Sequence, residues 1–234
     1  MRVEGPLLRG RFLRRYRRFL MDVEAGGRIL AVHCPNSGSM EGCLSEGAEV
    51  VCSYSTSPGR RLPWTAEWVR LPAAWVGIHT HRANGVVEEA LREGRVPGLE
   101  GYTQILREAP VEGGTSRVDF LLGAPGLPPC YLEVKNTTWP APGGGVGFPD
   151  AVTARGLKHL GVLSRRVREG CRGMMVYLVN RTDGDFFRPA WEKDPAYAEG
   201  LRRAADSGVE ILAVRAEIAP PGVRLGGALP VVLR

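Results

Sequence analysis

The sequence predicts an α+β chain of two joined domains: a small OB-like β-barrel over residues 1–80, then an α/β domain with a mixed central sheet over residues 81–234. Three observations lead there. The first 80 residues break into five short β-type runs, and closing such a set into a barrel removes the exposed edges it would otherwise present. After residue 80 the pattern changes to the order α-β-β-β-α-β-α-β, which suits helices packed on the faces of a mixed sheet. Within that stretch residues 173–180 are nearly all apolar, as a central strand covered on both faces would be.

The barrel strands are expected at residues 7–16, 18–24, 29–33, 49–54 and 65–71, where β-branched and aromatic residues gather between Gly, Pro, Ser and Asn. Ala25-Gly26-Gly27 reads as a hairpin turn. A helix over residues 82–95 follows, with Val86, Val87, Ala90 and Leu91 as its apolar stripe and Gly94 and Pro97-Gly98 ending it. Strands are expected at 102–109, 115–122 and 130–135, then a Pro- and Gly-rich loop at 139–148. A helix over 151–169, the strand at 173–180, a helix over 195–207 and a strand at 209–215 complete the chain.

Composition narrows the function classes. Hydrophobic residues make up 44%, enough for a packed core. No run approaches the roughly 18 apolar residues of a membrane helix, and the Arg-rich start lacks the apolar centre of a secretory signal. A soluble, cytoplasmic protein is expected. The five cysteines are odd in number and lack C-x-x-C spacing, so buried free thiols are expected rather than zinc or disulfides. The net charge is +6, and residues 1–28 carry most of it, with eight arginines against three acidic residues. Such a balance suits an anionic partner, nucleic acid being the commonest.

The chemistry concentrates in Ser116–Leu122 and Cys130–Lys135. Both runs alternate: Val118, Phe120 and Leu122 on one face, Leu132 and Val134 on the matching one, with Arg117, Asp119, Glu133 and Lys135 opposite. Asp119 and Glu133 lie equally far from Gly126, the centre of an expected turn at 123–129. A symmetric hairpin makes them cross-strand neighbours, roughly 5 Å apart, with Arg117 facing Lys135. Adjacent carboxylates repel unless a cation or proton lies between them, and oxygen ligands suit Mg²⁺ or Mn²⁺. Such an ion polarises a phosphoryl oxygen and acidifies water, and Lys135 supplies a fixed positive charge nearby. The competing reading is a surface hairpin with solvated charges.

On the following helix Leu157, Leu160, Leu163 and Val167 form an apolar arc opposite Arg155, Lys158, His159, Arg165 and Arg166, with Asp150 as the expected N-cap. This basic arc beside the carboxylates suits a phosphate-tracking surface, in competition with a plain solvated face. Glu88 and Glu89 are candidates for a third carboxylate, against the blander solvated role. Arg14, Arg15, Arg17 and Arg18 beside Tyr16 and Phe19 suit stacking on single strands, or a core edged by solvated arginines. His79 and His81 alternate without a third ligand in sight, and the Cys and Ser of residues 33–40 lack a base, so a structural turn is expected there.

At Arg15-Tyr16-Arg17-Arg18-Phe19-Leu20, His33–Met40, Ser116–Phe120, Tyr131–Lys135 and the long run Phe148–Leu160, the chain resembles the sugar fermentation stimulation protein family. The resemblance spans essentially the whole length. It implies an N-terminal OB-like domain and a C-terminal domain of the PD-(D/E)XK nuclease type. It also implies sequence-independent DNA binding, with a suggested role in regulating sugar-metabolism genes. The nuclease pattern falls on Asp119, Glu133 and Lys135, and its helix Glu on Glu89, giving Asp119, Glu133 and Glu89 as the implied metal ligands. Pro149-Asp150 is not the "PD" of that pattern, because it follows Lys135. Two DNA readings compete, a Mg²⁺-dependent phosphodiester hydrolase and a non-catalytic DNA-binding regulator on the same fold; RNA binding through the barrel is a third. A homodimer is compatible with such a domain, but no dimer face is legible.

Overall fold

A computed structural model describes residues 1–111 and 116–234. Strands β1 (Leu7–Tyr16), β2 (Leu20–Ala25), β3 (Arg28–His33), β4 (Glu49–Tyr54) and β5 (Trp64–Arg70) lie in the order β3-β2-β1-β4-β5, and a β3–β5 pairing at His33↔Thr65 closes them into a barrel. The β2–β3 hairpin turns on Gly26 and Gly27, both with positive φ (58° and 72°), as a two-residue turn that matches strand twist requires. Phe12, Met21, Val23, Val32, Val50 and Val69 fill the barrel. Cys34, Cys43 and Cys52 are buried there as free thiols. A short β6 (Trp75–Gly77) leads out, and its Gly77 N–H donates to Asn180 O.

The second sheet has six strands in the order β15-β14-β12-β9-β8-β7: β7 (Gln104–Val111), β8 (Ser116–Ala124), β9 (Leu127–Thr137), β12 (Arg172–Val179), β14 (Glu210–Ala219) and β15 (Gly222–Leu229). β9, β12 and β14 run parallel and the outer pairs antiparallel, so the sheet is mixed. One face is covered by α1 (Arg82–Arg92) and by Val51 and Trp68 of the barrel. The other is covered by α2 (Ala154–Arg168) and α3 (Pro195–Asp206). β12 is the shared centre, with Met174, Val176 and Leu178 in one core and Met175, Tyr177 and Val179 in the other. At roughly 1.5–3 kcal/mol for each such buried side chain, this strand anchors the sheet that carries the polar groups of β8 and β9.

Several elements absent from the sequence reading are rich in Gly and Pro. The expected loop at 139–148 contains β10 (Trp139–Pro140) and β11 (Gly145–Phe148), which form a small sheet with β13 (Phe186–Pro189). The strand expected at 209–215 runs on as β14 and returns as β15, whose three glycines hide its β character. Of the strand expected at 115–122, Thr115 lies outside the described residues.

Candidate active site

β8 and β9 pair as Phe120↔Leu132, Leu121↔Tyr131 and Leu122↔Cys130. One further step in that register sets Asp119 against Glu133. The turn is tighter than expected: Ala124 pairs with Leu127, leaving Pro125-Gly126 at the tip, and a register shift between Leu122 and Ala124 absorbs the difference. Two expectations about the strand faces fail. Val118 packs in the core under α2 and α3, while Phe120 and Leu122 pack under α1. The change falls beside Glu108 of β7, which lies between the pairs Arg107↔Phe120 and Ala109↔Val118 and is left-handed (φ 47°). Arg117 does not meet Lys135; its Nη1 donates to Glu108 O at 2.6 Å and the side chain is exposed.

At this point of the ladder the Asp119 carboxylate substitutes for a strand partner. Its Oδ2 accepts the Val134 N–H at 2.7 Å and its Oδ1 accepts Asn84 Nδ2 at 2.8 Å. Burial and the nearby Glu133 charge raise its pKa above the ordinary value, more than these donors lower it. Glu133 is 3% exposed. Burial pushes its pKa up, but hydrogen bonds and charge from His159 and Lys135 outweigh this, and the net shift is downward. Lys135 Nζ donates to Glu133 Oε1 at 2.6 Å, and His159 Nδ1 bonds the same oxygen. Glu133 Oε2 is buried with no hydrogen-bond partner among the described residues.

Asp119, Glu133 and Lys135 line a cleft of about 610 Å³ between the two domains. Asn36, Ser37 and Gly38 of the barrel form one wall; Asn84 of α1 and the segment Phe148–Arg155 form others. The barrel wall is fixed from both sides. Arg15 donates to the carbonyls of Asn36 (2.8 Å), Gly38 (3.1 Å) and Ser39 (3.2 Å). Asp150 Oδ2 accepts from Met40 N at 3.2 Å and Ser39 Oγ at 3.3 Å. A Cβ on Gly38 would lie 2.2 Å from that carboxylate oxygen, so a larger residue there would push Asp150 from its place.

Several sequence assignments change accordingly. Asp150 is not the N-cap of α2; Thr153 is, accepting from Gly156 N at 3.1 Å, and Asp150 instead ties the barrel loop to the cleft. His159 is not on the solvated arc. It lies four positions before Leu163 and three after Gly156, on the buried side, while Leu157 is the more exposed residue (37%). Glu89 does not join the carboxylates. It pairs with the Met1 ammonium and faces a separate cleft with Glu93, Arg95, Glu217 and Arg224. At helical spacing, five residues set Glu89 well round α1 from Asn84, which is the side chain that meets Asp119. Glu88 pairs with Arg92 and Arg107.

Among the basic candidates, Arg155 is exposed and lines the cleft, and Lys158 is exposed further along α2. Arg15 is committed to backbone carbonyls. Arg14 pairs with Asp22 at 2.8 Å and lies over Tyr16, and Arg17 and Arg18 are exposed on the β1–β2 turn. His79 and His81 meet edge to face at 5.7 Å, and burial lowers the His79 pKa to about 4.

No three His, Cys, Asp or Glu side chains among the described residues form a metal cage. A two-carboxylate site nonetheless fits Mg²⁺, which keeps several waters and takes one or two carboxylates plus substrate phosphate. The orphaned Glu133 Oε2 beside a carboxylate of raised pKa is the arrangement a divalent cation would satisfy.

The fold and cleft define a two-domain protein in which an OB-type barrel walls a carboxylate–lysine site on a mixed sheet. Comparison with known proteins gives its kinship. The profile described as "Sugar fermentation stimulation protein RE domain" matches residues 81–222, and "SfsA N-terminal OB domain" matches residues 13–78. The chain is 51% identical to the sugar fermentation stimulation protein homolog of Halorhodospira halophila, over 99% of this chain and 98% of that one. It is 47% identical to the homolog of Acidithiobacillus ferrooxidans, over 97% and 98%. The solved structure of Pyrococcus furiosus SfsA in complex with Ca²⁺ superposes with a TM-score of 0.86, at 28% identity over 99% of both chains. The chain belongs to the sugar fermentation stimulation protein family.

Proposed function

We propose that this protein binds DNA irrespective of sequence and hydrolyses phosphodiester bonds in the Asp119–Glu133–Lys135 cleft with Mg²⁺ or Mn²⁺. The observation that carries this reading is the meeting of buried Glu133, half-buried Asp119 and a lysine in one cleft, with Glu133 Oε2 left without a partner. A pure DNA binder has no physical need for carboxylates facing phosphate, because they repel it. Asp119 and Glu133 would hold the ion, which when bound polarises a phosphoryl oxygen and lowers the pKa of water. Lys135, held against Glu133, keeps a positive charge beside the reacting phosphate. Arg155 at the cleft, Lys158 beyond it and the exposed Arg14, Arg17 and Arg18 of the barrel offer backbone contacts. The bound Ca²⁺ of the Pyrococcus protein supports a divalent ion in this family. No helix among the described residues is long and apolar enough to cross a membrane, and we place the activity in the cytoplasm.

Supercoiled and single-stranded DNA incubated with Mg²⁺ or Mn²⁺ test the proposal, with binding recorded in parallel. Cleavage by the wild type should fall by roughly 10²–10³ in Lys135→Ala and Asp119→Ala while binding persists. Binding without cleavage on any substrate would overturn the hydrolase and leave the DNA-binding regulator. Preference for RNA over DNA would leave binding through the barrel.

A further inference from the structure

The sequence grouped His159 with the phosphate-tracking basic residues, but the molecule spends it elsewhere. His159 is 5% exposed, and its Nδ1 meets Glu133 Oε1. Its other ring nitrogen, Nε2, receives Arg155 Nε at 3.4 Å. Because Arg155 can only donate, Nε2 is the acceptor in that contact, which leaves Nδ1 as the N–H directed at Glu133. Lys135 donates to that same oxygen, so Glu133 Oε1 takes two donors while Oε2 takes none.

We infer that His159 is a positioning residue for the metal site: it fixes the Glu133 carboxylate so that Oε2 alone is offered to the ion, and Arg155 orients the imidazole from the cleft side. The inference rests on the metal-dependent reading above. An unrestrained glutamate could swing, offer both oxygens or turn wholly onto Lys135. Two donors on one oxygen, from different elements, exclude those arrangements. Thr153 serves the same end, because its cap on Gly156 N sets where α2 begins and hence where His159 falls. An outer partner that orients a ligand typically contributes roughly 10–100-fold in metal affinity.

The test is Mn²⁺ binding to the full chain by titration calorimetry, with thermal melting as a check on folding. His159→Leu keeps the bulk and removes the donor; His159→Asn keeps a donor near the position of Nδ1. Affinity for Mn²⁺ should fall roughly 10–100-fold in His159→Leu and return to within a few-fold of wild type in His159→Asn. Wild-type affinity in a folded His159→Leu would overturn the inference and leave the metal reading standing. If His159→Leu does not fold, loss of affinity in His159→Asn would overturn it instead. A wild type that binds no Mn²⁺ would overturn the metal reading and the positioning role with it.

Discussion

Two carboxylate-lined clefts of this molecule differ in how their charges are met. In the one holding Glu89, Glu93 and Glu217, every acid meets a cation: the Met1 ammonium, Arg95 and Arg224 respectively. Those groups are partly exposed, and water screens what the pairing leaves. In the cleft between barrel and sheet, Asp119 is pushed toward its protonated form and Glu133 keeps a buried oxygen with no partner. The difference teaches that acidic residues gathered in a groove do not make a metal site. On the proposed reading, burial without full compensation is what favours one, because the cost of confining the charges is relieved when a cation arrives.

The largest expected contrast concerns which cations serve the cleft directly. Arg155→Ala should weaken DNA binding and flatten the dependence of log K on log salt by about 0.9, one phosphate contact, as read by fluorescence anisotropy across a salt series. Arg15→Ala should leave that slope unchanged. It should instead lower stability by roughly 1–3 kcal/mol in urea unfolding, because three carbonyls of the barrel wall lose a charged donor. A reduced slope in Arg15→Ala would return that residue to the nucleic-acid surface.

A smaller effect separates the two groups of acids in the metal-free protein. Asp119 has its pKa raised above the ordinary 3.8, so just above pH 3.8 the folded chain holds a proton that the unfolded chain has lost. Its contribution to stability therefore weakens as pH rises through that window. Asp119→Asn should remove this pH dependence. Glu133 has the opposite sign: its lowered pKa gives stability present above the ordinary 4.5 and lost as pH falls. Glu89→Gln should cost no more than about 1 kcal/mol. Urea unfolding between pH 3 and pH 8 checks all three, and an Asp119→Asn chain that keeps the wild-type loss of stability as pH rises above 3.8 would contradict the account.

Much of this was legible in the sequence. The five barrel strands, the alternating helices and strands and the apolar β12 follow from periodicity and turn residues. Asp119 and Glu133 were placed opposite each other by counting from Gly126, and the register at Phe120↔Leu132 agrees with that count. What stayed hidden depends on long-range contact. Val118 changes face beside Glu108 without any local signal in β8. His159 looked like one more basic residue, although its spacing from Gly156 and Leu163 put it on the buried side of α2. Asn84 borders the α1 stripe and meets Asp119 only through the fold. The barrel wall at Asn36–Gly38 could not be joined to the cleft from sequence, because Asp150 reaches it from 110 residues away. Glu89 is the converse case: the resemblance put a ligand at that position, and the phase of α1 turns it toward the Met1 ammonium instead.

The most direct test is the position of Mn²⁺ in crystals of the protein, located by its anomalous scattering. The account predicts a peak between Asp119 and Glu133, within ligand distance of Glu133 Oε2, and none in the cleft of Glu89 and Glu217. A peak at Glu89 and Glu217, or no peak at Asp119 and Glu133 at saturating Mn²⁺, would contradict it.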